Sequence, residues 1–198
     1  MNKILVTYAT MSGSTVQVAL AVGEEILHQG KEVDILPLEK VTDLSSYEAI
    51  VIGAPMVMGW HRSALRFLRN NRPALQDIPL AIFATGLSLT STGETEVNGV
   101  PVFVDGNLAK APKNFRRPSI KERYSNIHHY AAPIIKAARP SRPVSLAFFG
   151  GSLDYRCLKL PAMLFVMFII QARPGDRRNW PVIQSWAHGL PALFNSIQ

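Results

Sequence analysis

The sequence predicts an α/β fold in which helices cover both faces of a parallel sheet. Three short runs, Ala49–Ala54, Leu80–Ala84 and Val144–Phe149, are apolar almost throughout instead of alternating with polar residues. Strands of this kind are buried on both faces. Segments with helical spacing lie between the strand-like runs, and this alternation is typical of parallel sheets.

The first predicted elements are a strand, a loop and a helix. The strand is the apolar run Ile4–Tyr8, and apolar residues at helical spacing extend from Val16 to Leu27. Gly30 comes directly after this pattern, where a glycine in the left-handed conformation commonly ends a helix. We expect Glu32–Leu36 to form the second strand.

The remaining elements continue the same alternation. Residues Asp43–Ser46 predict a turn, or one turn of helix, before the third strand at Ala49–Ala54. Helical spacing of apolar residues predicts a helix over Ser63–Arg69. Leu80–Ala84 and Val144–Phe149 then form the fourth and fifth strands.

Length and composition indicate one folded domain over residues 1–198. Apolar residues make up 47% of the chain and charged residues 18%, which argues against disorder. The single cysteine, Cys157, excludes a disulfide framework, and no signal-peptide pattern opens the chain, so we expect a cytoplasmic protein. Five histidines and one cysteine show no metal-ligand spacing, and no Gly-x-Ser-x-Gly elbow of a hydrolase occurs.

Charge is distributed unevenly along the chain. Residues 1–60 carry a net charge of −4, whereas residues 107–198 carry +11. The basic half therefore predicts an anionic partner, which leaves an acidic membrane, an acidic protein, a carboxylate-bearing substrate or a nucleic acid. No nucleic-acid-binding motif accompanies the charge, so we expect no nucleic acid.

Six residues after the first strand predict a phosphate site. Unpaired N–H groups at a helix N-terminus and hydroxyl side chains bind phosphate oxygens. The loop has no Lys or Arg, which favours a phosphate monoester and disfavours a nucleoside triphosphatase. The alternative is an ordinary turn in which Ser12 or Ser14 caps the helix. The loop consists of Thr10, Met11, Ser12, Gly13, Ser14 and Thr15.

Three further loops are predicted beside this one. Ligands of parallel α/β sheets bind at the carboxyl ends of the strands. The third, fourth and fifth strands end in Pro55–His61, Thr85–Leu87 and Gly150–Tyr155, which bring glycines, a Trp and a Tyr to one edge. Phosphate at one loop and a flat apolar group against the others is the profile of flavin mononucleotide (FMN).

The loop Thr10–Thr15 fits the pattern Thr/Ser-x-Thr/Ser-Gly-x-Thr, and residues 3–87 resemble the flavodoxin-like FMN proteins. The resemblance implies a three-layer sandwich with a five-stranded parallel sheet in the order 2-1-3-4-5, and noncovalent FMN. It places Gly59 as a flexible backbone position near flavin N5. The implied cofactor-binding residues are Thr10, Met11, Ser12, Gly13, Ser14, Thr15, Pro55, Met56, Val57, Met58, Gly59, Trp60, Thr85, Gly86, Leu87 and Tyr155.

Within that family, Val51–Ala64 and the C-terminal region resemble the quinone-dependent protoporphyrinogen dehydrogenases of the flavodoxin type. This implies a porphyrin-pathway enzyme of haem biosynthesis that oxidises an anionic substrate and reduces a quinone. The alternatives are a diffusible flavodoxin electron carrier and a flavin-free interaction module. We assign no catalytic side chain, because the cofactor carries the chemistry and His61 fits a helix cap.

Two segments depart from the simple fold. Residues 88–126 form an insertion after the fourth strand, with a hairpin predicted by Asn98-Gly99 and a basic stretch beyond it. That stretch is either a solvated loop or a clamp for an anionic substrate or bilayer. Residues 158–172 predict an extra apolar helix too short to cross a bilayer, either buried or lying at the inner face of the cell membrane.

Overall fold

The computed structural model describes residues 3–57, 59–114, 117, 119–157 and 174–196. Its central sheet contains the five predicted strands, all parallel, in the predicted order 2-1-3-4-5. The α/β class and this order are therefore confirmed. The strands are β1 (Lys3–Tyr8), β2 (Glu32–Pro37), β3 (Ala49–Pro55), β4 (Leu80–Gly86) and β9 (Ser145–Gly150).

Helices cover both faces of the sheet. On one face lie α1 (Ser14–His28) and α6 (Trp180–Asn195), and on the other α2 (Arg62–Asn70) and α5 (Ile127–Ala138). Gly30 follows α1 at φ +80° and donates its N–H to the Leu27 carbonyl, which confirms the predicted cap. The short elements are helices α3 (Arg72–Leu75) and α4 (Ile120–Tyr124) and the 3-10 turns Leu38–Lys40 and Tyr155–Cys157.

The two hydrophobic cores explain why the central strands are apolar without alternation. In β3, Ile50 and Ile52 pack into the core beneath α2 and α5. Ala49 and Val51 point the other way, into the core beneath α1 and α6. Successive strand residues face opposite sides, so a strand buried on both sides needs an apolar residue at every position.

The insertion contributes two more strands to the sheet. Its hairpin joins β6 (Glu96–Val97) to β7 (Val100–Val104), with Asn98 at φ +50° and Gly99 at φ +79°, as the Asn-Gly pair predicts. β7 then pairs in parallel with β9, at Val102 opposite Leu146. The predicted five-stranded sheet is thus extended to seven, and β9 is not an edge strand.

The rest of the insertion lies at the carboxyl end of β4. There β5 (Leu89–Thr90) pairs in parallel with β8 (Ala109–Lys110). Beyond β9, β10 (Ser152–Leu153) pairs with β11 (Gly175–Asp176). The predicted apolar helix at 158–172 falls outside the described residues, and no helix within them is long and apolar enough to span a membrane.

Candidate functional site

The loop between β1 and α1 has the backbone geometry of an anion site. Gly13 is the N-cap residue of α1, in the left-handed region at φ +85°, so neither Ser12 nor Ser14 is the cap. The Gly13 N–H donates to Thr10 Oγ1 over 2.9 Å. Because this oxygen serves as an acceptor, the Thr10 hydroxyl keeps its own proton for another partner.

The donors around this loop are neutral and fit a phosphate group. The first-turn N–H groups of α1 have no acceptor within the helix, and the helix dipole favours an anion at this end. Ser12 is half-buried and Ser14 is buried beside these groups. Backbone amides and hydroxyls bind phosphate oxygens without a cation in the loop, as the sequence predicts.

The loop is anchored to the neighbouring strand by a pair of threonines. Thr15 Oγ1 lies 2.9 Å from Thr85 Oγ1 at the end of β4, and both side chains are buried. The hydroxyl of Thr15 is therefore turned inward, away from the surface of the loop. Thr15 therefore braces the loop Thr10–Thr15, called the phosphate loop below, and the hydroxyls of Thr10, Ser12 and Ser14 are the ones that could bind a phosphate there.

The loop after β3 is held in place by two backbone hydrogen bonds. The His61 N–H donates to the Pro55 carbonyl (3.1 Å) and joins the two ends of the loop, and the Met56 N–H donates to the Thr85 carbonyl (2.8 Å) at the end of β4. Gly59 has φ +132°, and its carbonyl accepts from the Val57 N–H over 2.9 Å. Met58 lies outside the described residues.

Trp60 was predicted beside the cofactor at the carboxyl edge of the strands, but its side chain lies in the hydrophobic core. Its side chain is 4% exposed, belongs to the core beneath α2, and donates its indole N–H to the Ala54 carbonyl over 3.1 Å. A buried indole needs both apolar cover and a partner for its N–H, and this pocket provides both. Among the described residues of the loops after β1 and β3, the exposed apolar side chains are Val57 and Met11, at 38% and 49%.

Residues at the ends of β4 and β9 form the rest of the candidate site. Gly86 lies under Met56, where an added Cβ would be 2.3 Å from Met56 Cε, and Leu87 beyond it is half-buried. The Gly151 N–H donates to the Gly86 carbonyl over 2.7 Å. An added Cβ on Gly151 would be 3.3 Å from Ser14 Oγ, so this loop contacts the phosphate loop directly. Half-buried Tyr155 follows in the adjoining 3-10 turn.

The basic segment after β11 also reaches this edge, which the sequence reading missed. Arg178 donates to Gln17 Oε1 in the first helical turns of α1 and pairs with Asp176. That pairing lowers the pKa of the Asp176 carboxyl. The basic sequence Gly175-Asp176-Arg177-Arg178 was the available signal, but only the tertiary fold shows that residues 161 positions apart meet.

His61 is used as a helix cap. Its Nδ1 accepts from the Ser63 N–H over 3.4 Å and lies 2.7 Å from Ser63 Oγ. Through this contact the His61 side chain caps the N-terminus of α2. This agrees with the capping role that the sequence favours.

Solved structures with this fold include a reductase, a flavodiiron core and a flavodoxin. A flavone reductase has a TM-score of 0.54 at 9% identity, over 98% of this chain and 64% of its own. The Flv1 flavodiiron core from Synechocystis sp. PCC6803 has a TM-score of 0.51 at 11% identity, over 99% and 36%. A short-chain flavodoxin associated with a non-canonical PDU bacterial microcompartment has a TM-score of 0.50 at 13% identity, over 97% and 98%.

These structural similarities establish the fold of the chain, and a comparison with family models identifies its family. The chain spans only 37% of a rubredoxin oxygen:oxidoreductase from Desulfovibrio gigas and 38% of a flavodiiron protein from Giardia intestinalis. No curated protein gives a significant match. A family model described as a flavodoxin domain matches residues 5–179. The chain therefore belongs to the flavodoxin domain family, whose cofactor is FMN.

Proposed function

We propose that this protein is an FMN-dependent oxidoreductase that takes electrons from an anionic organic substrate and passes them to a quinone. Protoporphyrinogen is the proposed substrate, on the resemblance of Val51–Ala64 and the C-terminal region to the flavodoxin-type protoporphyrinogen dehydrogenases. Bound FMN supplies the hydride and electron transfer. The residues of the chain hold the cofactor, shield it from water and attract the substrate.

The observation that carries this proposal is the position of the basic insertion. β5 begins only two residues after Leu87 in the candidate site, and its Thr90 N–H donates to the Ser125 carbonyl over 2.8 Å. Both ends of the basic stretch are thereby held at the carboxyl end of β4. Among the described side chains of this stretch, the exposed cations are Lys110, Lys113, Arg117 and Arg123.

The acidic residue within this stretch is already engaged. Glu122 accepts the backbone N–H groups of Lys113 (2.8 Å) and Ser119 (2.6 Å). These bonds lower the pKa of the Glu122 carboxyl to about 2. Its charge organises the loop backbone, so the surrounding cations are available to carboxylates of a substrate.

Steady-state turnover tests the proposal. We expect the FMN form to oxidise protoporphyrinogen with a quinone acceptor faster than the air oxidation measured without protein. The triple variant K110Q/K113Q/R123Q should raise KM for the anionic substrate several-fold and flatten its salt dependence, with kcat little changed. A matched variant, R69Q/K136Q/R139Q, removes three exposed cations at the opposite edge and should behave as wild type.

Two outcomes would contradict this account. Absence of turnover above the air rate would remove the proposed reaction. Equal effects of the two triple variants would show that net charge, and not the insertion, attracts the substrate.

An electron carrier without a substrate of its own is the second candidate. It is favoured by the chemistry of the candidate site, in which the phosphate loop and its neighbours supply hydroxyls, backbone amides and apolar side chains. Such a set holds a flavin without acting on another molecule. A carrier would accept and donate electrons with redox proteins but show no turnover with the tetrapyrrole, so the same assay separates the two.

Peripheral contact with an anionic membrane is part of the first proposal, since quinones are lipid-soluble. The net charge of +11 over residues 107–198 supports it. We expect binding to anionic vesicles that falls as salt rises. Equal binding to neutral vesicles would contradict an electrostatic contact.

A further inference from the structure

A buried carboxylate joins the insertion to the candidate flavin site. Asp105 directly follows β7 and is fully buried. Its backbone N–H donates to the Phe148 carbonyl over 2.9 Å, which continues the pairing of β7 with β9 by one residue. Since β7 and β9 are parallel, Asp105 lies at the carboxyl edge of the sheet, where the cofactor loops also lie.

The side chain of Asp105 binds donors from three different segments. Oδ1 accepts from the Asn107 N–H at 2.9 Å and from Asn179 Nδ2 at 3.3 Å, and Oδ2 accepts from the Gly150 N–H at 3.4 Å. Asn107 belongs to the insertion, Gly150 ends β9, and Asn179 precedes α6. A carboxylate suits this place because it only accepts, whereas an amide would turn an NH₂ group towards one of the donors.

The Gly150 contact leads directly to the phosphate loop. The next residue, Gly151, donates to the Gly86 carbonyl and approaches Ser14 Oγ. Gly150 is also confined from its other side, where an added Cβ would be 1.9 Å from the Arg177 carbonyl oxygen. A shift of Gly150 would therefore move the backbone that borders Ser14.

We propose that Asp105 is a positioning residue for the flavin site, through which the insertion holds the Gly150–Gly151 backbone against the phosphate loop. This inference rests on the proposed FMN site and adds a role for the insertion that does not depend on its positive charge. The basic stretch attracts a ligand, whereas Asp105 fixes the shape of the cofactor pocket.

The isosteric variant D105N tests this role with two independent readouts. We expect the Kd for FMN to rise about tenfold, because a buried donor next to the pocket loses its acceptor. Amide exchange at Gly150 and Gly151 should accelerate in the cofactor-free protein. The control is E94Q, which removes an acceptor elsewhere in the insertion, bonded to Ser91 and Thr92, and should leave the Kd for FMN unchanged.

Defined outcomes would overturn the inference. D105N with wild-type FMN affinity and wild-type exchange at Gly150 would show that the carboxylate is not needed, and an equal loss of affinity in E94Q would show only general destabilisation. If D105N does not fold, N179A removes one donor and should raise the Kd about threefold; an unchanged Kd would contradict the proposal. If wild type binds no FMN, the proposed function fails, and the exchange readout still tests Asp105.

Discussion

The two halves of the candidate site differ in the groups that they offer to a ligand. The front half, from β1 to the end of β4, offers a ligand neutral groups: the Gly13 backbone, the hydroxyls of Thr10 and Ser12, and the N-terminus of α1. The rear half adds charge, with exposed cations on the insertion and Arg178 beside α1. In the proposed function, cofactor binding is thus separated from the attraction of a charged partner.

The two halves meet at Gly150, which leaves no room for a side chain, and at Gly151, which lies close to Ser14. Gly150 of β9 lies against the Arg177 backbone, and Gly151 lies against Ser14. We therefore expect changes at this junction to affect both halves. Changes within one half should affect either cofactor binding or the attraction of a charged partner, but not both.

The largest effect is expected for G150A. The new Cβ would lie 1.9 Å from the Arg177 carbonyl oxygen, a backbone atom that cannot rotate away. We expect the free energy of unfolding to fall by about 3 kcal/mol, in the upper range for overpacking, together with a marked loss of FMN affinity. Urea unfolding and an FMN titration measure the two effects.

The control for G150A is G189A in α6. No atom lies within 4 Å of an added Cβ at Gly189, and alanine favours helix, so the protein should gain up to about 1 kcal/mol. Wild-type stability and FMN affinity in G150A would show that the close approach at Gly150 does not hold in solution.

A smaller and more selective effect is expected for S12A. Removing one hydroxyl donor from the phosphate loop should raise the Kd for FMN about tenfold, while the free energy of unfolding of the cofactor-free protein stays the same. T42A, at an exposed threonine before β3, is the matched loss of a hydroxyl and should bind FMN as wild type. Equal affinities of S12A and wild type would exclude Ser12 from the phosphate site.

The smallest effect is expected for E94Q, and it should depend on pH. Burial raises the pKa of the Glu94 carboxyl, but hydrogen bonds from Ser91 and Thr92 outweigh it and lower the pKa to about 2. The carboxylate therefore stabilises the fold fully above about pH 4.5 and loses this contribution as the pH falls towards 2.

At pH 7 we expect E94Q to lose about 1 kcal/mol of the free energy of unfolding, since the group is only partly buried. The difference from wild type should shrink below pH 4.5, as followed by urea unfolding across this range. E96Q, at an exposed glutamate on β6, is the control. A constant difference from pH 7 to pH 3 would show that the Glu94 charge is not responsible.

Local patterns predicted what depends on local geometry. The Gly30 helix cap and the Asn98-Gly99 hairpin were predicted correctly because a left-handed backbone position strongly favours glycine or asparagine. The strands β3, β4 and β9 were predicted because burial on both faces requires continuous apolar runs. Because these strands are parallel, the loops that follow them lie at the same edge of the sheet as the phosphate loop.

Long-range pairings were not predictable in the same way. The pairing of β7 with β9 joins residues over 40 positions apart, and Pro101 within β7 gave no sign of a sheet strand. The burial of Trp60 depends on the Ala54 carbonyl and on the core beneath α2. The role of Asp105 depends on three segments that only the complete fold brings together.

Comparing FMN with riboflavin tests the central claim most directly, because the two ligands differ only in the phosphate. Flavin fluorescence would be titrated with the cofactor-free protein under identical conditions. If the Thr10–Thr15 loop is the phosphate site, FMN should bind with one molecule per chain, and riboflavin at least about a hundredfold more weakly, since several hydrogen bonds are lost with the phosphate. Equal affinities for the two ligands, or no binding of FMN, would contradict the account.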